Sequence, residues 1–221
     1  MSVRIGMLTP SSNTCLEPVT YRILACAEGV TAHFSRLTVT RISLQGTSSA
    51  QFDAAPMVTA ARLLADAKVD VVVWNGTSGS WLGIEHDREV VRALERETGV
   101  AATTSTLALL DACTAFGVHR LGLAVPYTEE VMRRIVDTYA GQGVSVVSER
   151  GLDLTDNLSF ARTPPGLVRE LITDAAVSDA QAVAVVCTNM HGAPHVAALE
   201  AELGIPVLDS VSATLWKALD V

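Results

Sequence analysis

Four groups of residues in this chain have types and spacings that could do chemistry. The apolar, β-branched run Val183-Ala184-Val185-Val186 ends in Cys187-Thr188-Asn189, and a turn with glycine and proline follows. A second run, Val71-Val72-Val73-Trp74, ends in Asn75-Gly76-Thr77-Ser78-Gly79. Pro126-Tyr127 closes a third run, and Ser12-Asn13 follows a fourth. Short apolar runs of this kind read as buried parallel strands, and ligands bind at the carboxyl ends of such strands. Cys187 therefore reads as a thiol that moves a proton. A free thiol is mostly protonated at neutral pH and can donate. Gly76, Thr77 and Ser78 offer two hydroxyls and close backbone approach, suited to a carboxylate or a developing oxyanion. Tyr127 adds a phenolic donor.

The elements that must position these groups alternate in kind. Strands alternate with helical stretches along the chain, which predicts right-handed βαβ units and a parallel sheet. The pattern restarts near His119. Val3 to Pro10 matches His119 to Pro126, Val71 to Thr77 matches the segment ending Cys187-Thr188, and Glu97 to Ala101 resembles Glu202 to Pro206. Three matches in one order suggest an internal duplication. The expected fold is α/β: two pseudo-symmetric, Rossmann-like lobes, each with a parallel four-stranded sheet flanked by helices. The lobes are expected at 1–116 and 117–221, with the last helix or C-terminal segment able to cross over. Equivalent strand-end loops would line a cleft between them. Ser43 to Phe52 reads as a loop rich in Ser, Gly and Gln, and Gly151 to Thr163 as a polar loop.

The duplication gives Cys187 a counterpart, and the counterpart is Gly76. Two facing thiols could remove a proton from one face of a carbon and return it on the other. One thiol suits a carbanion or enolate formed by another route, such as loss of CO2, and protonated from one side. On this reading a cysteine at Gly76 would restore exchange of an α-proton.

Bulk properties narrow the partners. The chain has 221 residues, a net charge of -8 and a pI near 5.0. This argues against nucleic acid or an anionic membrane surface as the main partner. No apolar stretch is long enough to span a membrane, and MSVRIGMLTP lacks a signal-peptide pattern. Four scattered cysteines without a CxxC pair read as reduced thiols, so a cytoplasmic location is expected. No GxGxxG follows the first strand, which disfavours a nicotinamide-dependent dehydrogenase.

On Pro10-Ser11-Ser12-Asn13-Thr14, Gly76-Thr77-Ser78, Pro126-Tyr127, Asn157 and Cys187, the chain resembles the aspartate/glutamate racemase superfamily. It is most similar to the branch holding arylmalonate decarboxylase and maleate cis-trans isomerase. The resemblance implies two α/β lobes with the site between them and no metal or organic cofactor. It implies Thr77, Ser78 and Tyr127 as an oxyanion hole and Cys187 as proton donor. Ser12, Asn13, Gly76, Asn157 and Thr188 are the expected substrate-binding positions. The isomerase branch uses two cysteines, and the nucleophilic one falls at Gly76 here. The leading expectation is therefore a cofactor-independent decarboxylase of a malonate-like diacid, aryl- or alkyl-substituted. The alternatives are an isomerase of the maleate type, or another dicarboxylate enzyme of the superfamily, and a non-catalytic protein that binds small carboxylates. The expected ligand is a small carboxylate or dicarboxylate, and a homo-oligomer is compatible with the sequence. Arg41 is weighed as a second carboxylate ligand, and His191 and His195 as partners that would activate Cys187; Arg41 reads more readily as a surface arginine, His191 falls in a loop and His195 at a helix start.

Overall fold

The computed structural model describes residues 2–42, 44 and 51–221. Most of the loop expected at Ser43 to Phe52 lies outside the described residues. The first part of the chain forms β1 (Val3–Pro10), α1 (Leu16–Leu24), β2 (Val30–Leu37), α2 (Ala54–Asp66), β3 (Val71–Trp74), α3 (Gly79–Leu82), α4 (Ile84–Thr98), β4 (Ala101–Thr104) and α5 (Ser105–Ala115). The second part forms β5 (Arg120–Val125), α6 (Glu129–Ala140), β6 (Ser145–Gly151), α7 (Asn157–Ala161), α8 (Pro165–Ala175), β7 (Ala182–Val185), α9 (Val196–Leu203), β8 (Val207–Asp209) and α10 (Ser210–Asp220).

These strands build two parallel sheets with one order, β2-β1-β3-β4 and β6-β5-β7-β8. The central strands are covered on both faces, and every residue of β3 and β7 is buried. That is why their sequences are continuous apolar runs instead of alternating ones. Close helix packing has a sequence cause in both sheets. A Cβ on Gly122 would fall 2.3 Å from the Ala175 carbonyl oxygen of α8, and one on Gly6 would fall 3.3 Å from Leu64 Cβ of α2. Only glycine lets backbone approach so near at Gly122.

The register carries the internal match to the strand ends. Leu8 pairs with Trp74 in the first sheet, and Ala124 with Val185 in the second. Two residues on, Gly76 and Cys187 occupy equivalent positions. The last helix crosses over: Val211, Leu215 and Ala218 of α10 pack with Ile5, Met7, Val71 and Val73 of the first sheet. Thr214 Oγ1 of α10 donates to Ser105 Oγ at the start of α5, 2.8 Å away.

Two short helices depart from the sequence reading. Gly151 to Thr163 is not all loop: Asp156 accepts a hydrogen bond from the Ser159 amide and starts α7. The Gly76-Thr77-Ser78 turn runs directly into α3, whose first turn is closed by Ser80 N–H donating to the Thr77 carbonyl at 3.0 Å. Among the described residues no helix is long and apolar enough to cross a membrane.

Candidate active site

The loops after β1, β3, β5 and β7 meet between the sheets around a cavity of about 20 Å³, room for about one water. Its polar lining is Gly76, Thr77, Ser78, Tyr127, Asn157, Cys187 and Thr188. Its apolar lining is Pro10, Val39, Ile42, Phe52, Trp74 and Trp81, with the Trp74 indole against Gly76 and Ser78. None of these lining residues is basic.

The polar lining is cross-braced. Thr77 Oγ1 and the Tyr127 hydroxyl lie 3.1 Å apart. Trp74 Nε1 donates to Ser78 Oγ at 3.1 Å. Thr188 Oγ1 donates to the Asn75 carbonyl at 2.9 Å, and Asn13 Nδ2 donates to Thr188 Oγ1 at 3.2 Å. The Tyr127 ring is fixed by edge-on contacts with Trp81 and Phe160, centroids 5.1 and 5.4 Å away. Such pairs add about 0.5–1.5 kcal/mol beyond area burial.

Burial dominates the electrostatics. The Cys187 thiol is pushed up to about 12 by loss of water, partly offset by the Tyr127 hydroxyl and the Asn189 backbone N–H that face it. Tyr127 is raised well above its usual value by burial and by the neighbouring Cys187. Cys187 is therefore a thiol, not a thiolate, and can donate a proton with two groups placed to steady the thiolate left behind. Its own backbone N–H donates to Ser210 Oγ at 3.0 Å, which ties the strand end to α10.

A family model described as arylmalonate decarboxylase matches residues 14–221. The chain belongs to that family. Its relatives include both kinds of enzyme weighed above. Maleate isomerase of Geobacillus stearothermophilus is 27% identical over 98% of this chain and 90% of its own length. Arylmalonate decarboxylase of Bordetella bronchiseptica is 28% identical over 74% of this chain and 69% of its own. A maleate isomerase variant from Pseudomonas putida S16, solved with maleate, superposes at a TM-score of 0.87. It is 25% identical and covers 100% of this chain and 93% of that one.

Within this family member, seven of the nine residues singled out above line the cavity: Cys187, Thr77, Ser78, Tyr127, Gly76, Asn157 and Thr188. Ser12 and Asn13 stand behind the wall. Ser12 Oγ donates to the Val39 carbonyl at 2.6 Å and accepts from Asn157 Nδ2 at 2.8 Å. Asn13 Oδ1 accepts from the Cys15 and Leu16 amides at 3.0 and 2.9 Å, capping α1, while its Nδ2 holds Thr188.

Arg41 faces elsewhere, beside Thr128, Glu129 and Asp153, and its backbone bridges to Asp156. His191 Nδ1 lies 3.3 Å from Cys15 Sγ, so the histidine after the strand pairs with the buried cysteine of the first lobe. Burial pushes that thiol far up as well.

Sequence reasoning passed over Asn189, whose Oδ1 accepts from the Thr14 and Cys15 amides at 3.0 and 3.2 Å and whose Nδ2 donates to the Asn157 carbonyl at 2.5 Å. Its place directly after Cys187-Thr188 was the available signal. It also passed over Asp87, fully buried under α3, which accepts from Thr104 Oγ1 at 2.5 Å. No spacing in the sequence marks Asp87, because it sits in a charged amphipathic helix.

Proposed function

We propose that this protein is a cofactor-independent decarboxylase of small substituted malonates, with Cys187 protonating the product on one face. The observation that carries the reading is the lining of the cavity: one thiol and four hydroxyls beside six apolar side chains, with no basic residue among them. A malonate has two carboxylates on one carbon. One fits Ser78 and the hydrogen-bonded pair Thr77 and Tyr127, which together have two O–H protons to donate to it. The other is left against Pro10, Val39, Ile42, Phe52 and Trp81, where an ion is poorly solvated and neutral CO2 is not. Cleavage of the C–C bond leaves its electron pair on the α-carbon, delocalised into the retained carboxylate as an enediolate. The carboxylate oxygens facing these hydroxyls then carry more negative charge than in the ground state, which is what an oxyanion hole stabilises. Cys187 delivers its proton to the carbon, and the resulting thiolate is reprotonated from solvent. A cavity with room for about one water admits such a diacid only when side chains of the apolar lining shift.

The second reading, isomerisation of maleate, is favoured by the relatives named maleate isomerase that cover nearly the whole chain. It lacks a second thiol at Gly76. Incubation of the purified protein with phenylmalonate and with maleate separates the two. The decarboxylase reading predicts CO2 and phenylacetate from the first and no fumarate from the second. Fumarate from maleate with no CO2 from phenylmalonate would overturn it, and silence on both would favour carboxylate binding without catalysis.

A further inference from the structure

The first-lobe wall of the cavity is more than a missing thiol. Trp74 is the last residue of β3 and is fully buried. Its indole lies over the Gly76 backbone. A Cβ on Gly76 would stand 2.3 Å from Cζ2, 2.4 Å from Cε2 and 2.7 Å from Nε1 of that ring. No side chain fits there unless the indole leaves. The place matched in the second sheet by Val185 is therefore filled differently, and the thiol's counterpart is an aromatic ring as well as a glycine.

The same ring orients the hydroxyl beside it. Because Ser78 Oγ accepts from Trp74 Nε1 at 3.1 Å, the serine's own proton is left to donate elsewhere. The neighbouring Thr77 and Tyr127 hydroxyls share one hydrogen bond between them, which leaves one of their two protons for a ligand.

We propose that Trp74 is the residue that makes this site one-sided. It occupies the room a second thiol would need and holds Ser78 as a donor, so that an enediolate meets a proton only from Cys187. The catalytic half of this inference rests on the decarboxylase reading; the steric half does not. It also revises the expectation drawn from the sequence. Gly76→Cys alone does not create a two-thiol site, because the new side chain collides with the indole.

The test is a double-mutant cycle of the unmodified protein, Trp74→Ala, Gly76→Cys and the double variant, read two ways. Melting temperature reports the collision. Gly76→Cys should melt roughly 2–12 °C lower, the cost of overpacking a core in a chain of this size. The double variant should melt well above the sum of the two losses, since the pair share one volume. A parallel cycle with Trp74→Leu keeps the comparison if Trp74→Ala does not fold.

Exchange of the α-proton of 2-phenylpropionate in D2O reports the chemistry. In a two-thiol site the introduced thiolate takes the α-proton, the electron pair passes to the enediolate, and the Cys187 thiol returns a deuteron to the opposite face. Only the double variant should exchange and racemise. Additive melting losses, or a Gly76→Cys variant that melts like the unmodified protein and exchanges with Trp74 in place, would overturn the proposal. So would a double variant that folds, in a protein that decarboxylates phenylmalonate, yet racemises nothing. Non-additive melting in a protein that never decarboxylates phenylmalonate supports Trp74 as the blocking group and removes the decarboxylase reading instead.

Discussion

Thr77 Oγ1 and the Tyr127 hydroxyl stand 3.1 Å apart although they come from loops of different sheets. The contact joins the two halves of the polar lining at the point where Cys187 faces it. Phe52, Trp81, Tyr127 and Phe160 form an edge-to-face row that fixes the tyrosine ring from both sides.

Tyr127→Phe keeps that row and removes only the hydroxyl. On the proposed chemistry, turnover should fall about 10²–10³-fold, the usual cost of one oxyanion donor. The melting temperature should move little, because the ring contacts remain. Steady-state kinetics and a thermal melt on the same preparation check both halves of the expectation.

Two buried carboxyls set an acid-side stability profile. Burial raises Asp87 from an ordinary 3.8 to about 7, and Asp209 from 3.8 to about 6. Folding therefore favours their neutral forms. Their contribution is whole below about pH 4 and is lost as pH rises through 6 and 7, since the folded state must then hold buried charge. For Asp87→Asn, which cannot ionise, the decline in melting temperature between pH 4 and 8 should be shallower. An unchanged slope would mean that Asp87 does not titrate in this window.

Asn13 works on both lobes, capping α1 through its oxygen and holding Thr188 through its nitrogen. Asn13→Ala should cost about 0.5–2 kcal/mol for the cap, which in a chain of this length lowers the melting temperature by roughly 1–8 °C. If substrate contact were its main role, KM would rise while the melt stayed in place; differential scanning fluorimetry beside kinetics distinguishes these.

How much of this was legible in the sequence follows from where each residue sits. Strand ends were readable, because β3 and β7 are continuous apolar runs that stop abruptly at Asn75 and at Cys187. The equivalence of Gly76 and Cys187 followed from matching those runs, and the paired registers reproduce it. The direction of the Trp74 ring was not readable. An indole at a strand end can pack beneath the sheet or over the next turn, and only the assembled lobes decide. Ser12 and Asn13 were recognisable as polar loop residues, but hydrogen bonds to the second half, from Asn157 and to Thr188, place them behind the wall. Such long-range partners leave no local pattern. The five-residue helix α7 escaped for the opposite reason: it is shorter than the periodicity that would reveal it.

The central claim is that Cys187 alone delivers the proton. Decarboxylation of methylphenylmalonate in D2O, followed by chiral chromatography and mass analysis of the 2-phenylpropionate formed, tests it most directly. The account predicts a single enantiomer carrying one deuterium at the α-carbon, and loss of turnover in Cys187→Ser with the fold retained by circular dichroism. Racemic product, or a Cys187→Ser variant that turns over at the unmodified rate, would contradict it.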